Sequence, residues 1–166
     1  MSHLSSAFFA SPFEESACLS IDGSGDFSTT MTAFGKGNEI KVLDSVDFPH
    51  SIGLFYTAFT QLLGFPHYGD EYKVMGMAPY GQPRFMDQLS DVIHPTDDGL
   101  FRLNLSYFRK GTSGIVTYGS DNIPVVAPLY TEKLEAAFGS VRKKDEPLLQ
   151  QHKDLAASVQ RKTEEI

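Results

Sequence analysis

The chain has 166 residues, 41% hydrophobic and 21% charged, with a formal net charge of −7; these proportions suit one globular domain and exclude a disordered chain. No run approaches the ~18 apolar residues that span a bilayer, no basic leader precedes the short apolar run Ala7–Ala10, and the acidic balance offers no field for a nucleic-acid backbone. A single cysteine, Cys18, excludes an internal disulfide and a cysteine-built metal cage, so a reducing cytoplasm is the expected setting.

In chain order, Ser5–Phe9 reads as the end of a helix closed by Ser11-Pro12, since proline keeps its predecessor out of helical geometry. Ala17–Asp22 reads as a strand broken by Gly23-Ser24-Gly25, and Phe27–Phe34 as a second strand rich in threonine. After the turn Gly35–Asn38, Ile40, Val42 and Val46 alternate with polar neighbours in a third, which predicts a three-stranded antiparallel meander. Over Ser51–Leu63 the residues Ile52, Phe55, Phe59 and Leu62 share one face, predicting a helix packed on the sheet and stopped by Gly64. Gly69–Ala78 and Phe85–Val92 are shorter helical candidates. The turn dipeptide Asp98-Gly99 predicts a solvent-facing hairpin appendage over 91–104. Ser106–Pro128 is irregular, Lys133–Phe138 is helical, and Leu155, Val159 and Thr163 recur at helical spacing in a last helix over Gln150–Ile166.

The strongest local chemical signal is Asp22-Gly23-Ser24-Gly25-Asp26 at a strand-to-strand turn. Glycines there let backbone amides approach a phosphate, and an aspartate leaving a strand can hold a metal ion or its water. A plain hairpin turn with acidic decoration uses the same residues. A calcium loop starting at Asp22 fails, because its sixth position is Phe27 and its twelfth Ala33; no Gly-Lys-Ser/Thr of a Walker loop occurs. His3 is a second candidate ligand, with no other histidine within helical reach. In Gly69–Gly81, Lys73 stands one helical turn from Asp70, spacing that suits an ion pair as well as a ligand contact.

The successive segments SHLSSAFFASPFEES, SIDGSGD, PHSIGLFYTAFTQLLGF, GDEYKVMGMAPYG and DLAASVQRKTEE resemble the O-carbamoyltransferase family of nodulation-factor and antibiotic biosynthesis. The resemblance implies an α/β (α+β) fold: a partial actin-like ATPase domain, a ribonuclease-H-like half with the antiparallel meander plus helices, in which residues 1–166 form one partial domain of a larger enzyme. That family is similar to the tRNA threonylcarbamoyl-transfer proteins. The activity implied is ATP-dependent: a carbamoyl group moves from carbamoyl phosphate, through carbamoyl-adenylate, to a small-molecule hydroxylated acceptor. A non-catalytic nucleotide-binding or assembly module on the same fold is the alternative.

By the same resemblance, His3 matches the second histidine of a His-x-x-x-His helix and Asp22 a strand-end aspartate, both ligands of a divalent metal, iron or similar. The first histidine falls before Met1, and a later glycine loop with a further aspartate falls after Ile166. Gly23, Ser24, Gly25 and Asp26 would line the phosphates of ATP or carbamoyl-adenylate, or the carbamoyl group, and Glu71 and Lys73 match a nucleoside-contacting region. No nucleic-acid or membrane partner is implied, a cytoplasmic location is expected, and a homodimer is left open. No general base is assignable to any residue present.

Overall fold

Proline ends the first helix where the sequence places its end: α1 runs Ser2–Phe9 and closes at Ala10, one residue before Ser11-Pro12. The structure, a computed structural model, describes residues 1–23, 27–109, 116–118, 122–143 and 145–166. It divides into two compact units, Met1–Gly53 and Leu54–Ile166. Its mixed α/β elements include the expected antiparallel meander. Among the described residues no helix is long and apolar enough to cross a membrane.

In the first unit, β1 (Glu15–Ile21), β2 (Ser28–Lys36) and β3 (Glu39–Asp47) form one antiparallel sheet in the order β1-β2-β3. Gly37, at φ +56°, turns β2 into β3, a left-handed conformation that favours glycine. The β1–β2 register is unbroken from Glu15↔Lys36 to Ile21↔Thr30, so Asp22 is the first residue past the strand. The β2–β3 register is not. Thr32 faces Asp44 while Ala33 faces Val42, leaving Leu43 as an extra residue. The simple alternation expected of Ile40, Val42 and Val46 therefore fails, because a bulge turns Val42 and Val46 to opposite faces of the sheet. Helix α1 packs Leu4 and Phe8, both buried, on one face. Gly35 permits this: a Cβ there would stand 2.7 Å from the Phe8 ring.

Helix α2, Ile52–Leu62, begins on the last residues of the first unit and carries the core of the second. All four stripe residues, Ile52, Phe55, Phe59 and Leu62, are buried. Phe59 meets Phe55 edge-on at 5.1 Å and Phe138 at 5.0 Å, the latter from α5, Glu132–Phe138. Gly64, at φ +85°, ends α2, and the Arg142 guanidinium donates to the Leu63 carbonyl at 2.8 Å, satisfying a helix-end acceptor. Buried Gln61 donates to the carbonyls of Val126 and Ala127, each at 3.1 Å, and accepts from Leu129 N–H at 2.9 Å.

Helices α3 (Glu71–Met77) and α4 (Met86–Ser90) are shorter than their sequence candidates. The hairpin β4 (Ile93–Pro95) and β5 (Phe101–Leu103) forms, but it is not the solvent-facing appendage expected: Ile93, Phe101 and Leu103 are buried, since period-2 alternation gives even a short hairpin one apolar side. Two further strands, β6 (Val116–Tyr118) and β7 (Pro124–Val126), pair antiparallel inside the stretch read as irregular. Three residues are too few for periodicity to announce a strand. The last helix, α6, spans Gln150–Glu165.

Candidate functional site

Helix α1 and the end of β1 bring His3 and Asp22 together. The imidazole Nδ1 lies 3.4 Å from Asp22 Oδ2, with the two side chains 68% and 36% exposed. Asp22 is held from three sides. Its N–H donates to the Thr29 carbonyl at 2.7 Å, extending the ladder past β1; its Oδ1 accepts from Gly23 N–H at 2.7 Å; and Ser51 Oγ contacts its carbonyl at 3.1 Å and that of Gly23 at 2.8 Å. The carboxylate is thereby split: Oδ1 is fixed by the amide and Oδ2 faces the imidazole. Behind the loop, Gly53 presses on Gly23, where a Cβ on Gly53 would come 2.5 Å from the Gly23 Cα.

The pair opens into a cleft of about 490 Å³ whose lining includes His3, Ser20, Asp22, Phe27, Ser28 and Thr29. Phe27 stands 80% exposed beside it. Two donors bound at roughly 2.1 Å to one tetrahedral cation lie about 3.4 Å apart, which is the His3–Asp22 separation, so nitrogen and carboxylate oxygen fit as adjacent ligands of a divalent metal. Among the described residues no group of three or more His, Cys, Asp or Glu side chains could hold a metal ion. Ser24, Gly25 and Asp26 lie outside the described residues.

Glu71 and Lys73 belong to the second unit, and their partners there are local. Thr57 Oγ1 donates to Glu71 Oε1 at 2.6 Å. Lys73 pairs with buried Asp70 one turn away, as its spacing suggests, and its ammonium lies 5.4 Å from the centre of the Phe65 ring. Burial, aided by the carboxylates of Glu71 and Glu164, pushes the Tyr56 phenol far above its ordinary range, and its hydroxyl donates to Gln160 at 2.8 Å. Sequence reasoning missed Ser51 and Gly53, taking both only as the start of a helix. Glycine in a first helical turn is a poor helix former, and that was the available signal of a close backbone approach.

The chain matches the family described as carbamoyltransferase N-terminus over residues 1–166. It is 41% identical over 167 residues to an uncharacterized protein of Synechocystis sp., covering 99% of this chain and 25% of that protein. It is 37% identical to nodulation protein NolNO of Sinorhizobium fredii, covering 100% of this chain and 21% of the relative, and 35% identical to nodulation protein NolO of Bradyrhizobium diazoefficiens, covering 99% and 26%. The chain thus spans about a quarter of the length of these curated relatives. Matched along its whole length, this chain belongs to the carbamoyltransferase N-terminal family.

Proposed function

We propose that the parent protein is an ATP-dependent O-carbamoyltransferase. In this reading a carbamoyl group passes from carbamoyl phosphate, through carbamoyl-adenylate, to a hydroxylated small molecule, on an actin-like domain of which residues 1–53 open a ribonuclease-H-like half. The observation that carries it is the convergence of His3 Nδ1 and Asp22 Oδ2 in a cleft beside the Gly23 loop. His3 and Asp22 would hold the divalent metal, iron or similar. When bound, such an ion supplies Lewis-acid stabilisation of the negative charge that develops during acyl-type transfer. Gly23 keeps the Asp22 carboxylate oriented through its amide, and Ser24, Gly25 and Asp26 would face the phosphates or the carbamoyl group. Glu71 and Lys73 would contact the nucleoside in the parent protein, exchanging partners they hold here. The membership in the family and the nodulation relatives support this reading.

Three measurements test it. Calorimetric titration of the chain with ferrous or zinc ion should show weak 1:1 binding that His3→Ala and Asp22→Asn each abolish, because two donors lack the further ligands of a tight site. In the full-length protein, Asp22→Asn should lower bound metal and carbamoyl transfer together, since it removes a charged ligand while retaining the turn. Transfer retained at the unmodified rate would make Asp22 a turn residue only. The 166-residue chain alone should turn over negligibly with ATP, carbamoyl phosphate and acceptor, and robust product would show that it holds a complete site.

A further inference from the structure

The pairing of β2 with β3 carries a second irregularity, and it lies at the cleft. Ser28 faces Asp47 and Thr30 faces Val46, so Thr29 has no residue opposite it on β3. A bulge of this kind leaves one residue out of the ladder and re-aims its side chain. Thr29 is 1% exposed, and its hydroxyl, with a single proton to donate, has two carbonyls in reach, that of Val46 at 3.1 Å and that of His50. The backbone carbonyl of the same residue accepts the Asp22 N–H at 2.7 Å. Thr29 is therefore tied to β3 and the turn after it through its side chain, and to Asp22 through its backbone.

The turn that receives the Thr29 hydroxyl returns to Asp22 by another route. Ser51, buried and next to His50, places its Oγ 3.1 Å from the Asp22 carbonyl and 2.8 Å from that of Gly23. Three pieces of chain, Asp22-Gly23, Thr29 and His50-Ser51, thus close a ring of hydrogen bonds inside the first unit. Holding both the N–H and the C=O of a residue fixes the direction of its Cα–Cβ bond, and the Gly23 N–H then fixes Oδ1 of the carboxylate. From this ring we propose that Thr29 is a positioning residue for Asp22: its hydroxyl keeps the carboxylate at the separation from His3 that a shared divalent cation needs. Thr29 acts through Asp22 and is not itself a ligand. The proposal rests on the reading of Asp22 as a metal ligand.

Thr29→Val keeps the branched shape and removes the hydroxyl, whereas Thr29→Ser keeps the hydroxyl. Zinc titration of the metal-free full-length protein should show Thr29→Val binding about tenfold more weakly, as groups that orient a ligand from behind do when removed. The Asp22 amide should exchange its hydrogen faster in that variant, and Thr29→Ser should match the unmodified protein in both respects. A role in stability alone would lower the denaturant midpoint of Thr29→Val and leave its zinc affinity, measured well below the melting temperature, unchanged; that result overturns the proposal. Binding as weak in Thr29→Ser as in Thr29→Val overturns it too. Asp22→Asn separates the two ideas. If it abolishes zinc binding while Thr29→Val does not weaken it, only the present proposal falls; if Asp22→Asn leaves zinc affinity unchanged, the metal reading falls and takes this proposal with it. If Thr29→Val does not fold, Thr29→Ser and the unmodified protein decide: a slow Asp22 amide with zinc affinity kept in Thr29→Ser supports the proposal, and an Asp22 amide exchanging at the rate of an unbonded loop amide rejects it.

Discussion

Glycines at Gly53, Gly81 and Gly76 meet three different surroundings, and substitution by alanine separates them. At Gly53 an added Cβ would stand 2.5 Å from the Gly23 Cα, and at Gly81 2.0 Å from the Lys153 carbonyl oxygen; both obstacles are backbone. At Gly76, inside α3, nothing lies within 4 Å. Overpacking against backbone costs about 1–3 kcal/mol, whereas glycine inside a helix costs about 0.8–1.0 kcal/mol relative to alanine. Gly53→Ala and Gly81→Ala should therefore lower the denaturant midpoint and Gly76→Ala should raise it. Gly53→Ala should also weaken the metal binding proposed for Asp22, since the displaced Gly23 amide orients that carboxylate. An unchanged midpoint for Gly53→Ala would mean that the loop yields freely.

Helix α6 starts on an imidazole cap, which makes its first turn sensitive to pH. Leu149 N–H donates to His152 Nδ1 at 3.1 Å, a bond only the neutral ring with its proton on Nε2 can accept. Burial, with a further push from the Arg142 guanidinium, holds the His152 pKa below its ordinary value despite the opposing pull of Glu146. The unfolded chain therefore binds the proton more readily than the folded one. This contribution to stability is complete above about pH 6.5 and is lost as the pH falls through the depressed folded value. Thermal melts of the unmodified chain should lose stability below about pH 6.5 more steeply than those of His152→Gln, whose amide oxygen can still accept from Leu149. Equal slopes would remove His152 from the account. The same helix holds Asp154, whose carboxyl is kept below its usual range first by the Gln150 side chain and then by the Gln82 amide. Its contribution is present above the ordinary carboxylate range and fades only in stronger acid, a window distinct from that of His152.

At the scale of the whole molecule, each unit rests on aromatic or aliphatic packing that its own sequence pattern announces. Phe59, fully buried between Phe55 and Phe138, is the centre of the second unit. Phe59→Ala should cost about 3–5 kcal/mol, read as a large fall in the denaturant midpoint, and a shift typical of a surface site would refute that placement. The stripe Ile52, Phe55, Phe59, Leu62 was legible because a helix repeats its buried face every few residues, and the meander because Gly23 and Gly37 interrupt runs of strand-forming residues. The Leu43 bulge was not legible, since which of two neighbouring residues is left unpaired depends on the facing strand. Nor were β6 and β7, or Gln61 bonded to Val126, Ala127 and Leu129, because such pairings form between segments far apart in the chain. Of the candidate site, the sequence by itself determined that Asp22 leaves a strand into a glycine turn, and the resemblance singled out His3. Only the tertiary structure decided that imidazole and carboxylate face each other and that Ser51 and Gly53 brace the loop. Periodicity sets which side of its own element a residue occupies, whereas convergence depends on how α1 packs across the sheet, through the contact of Phe8 on Gly35.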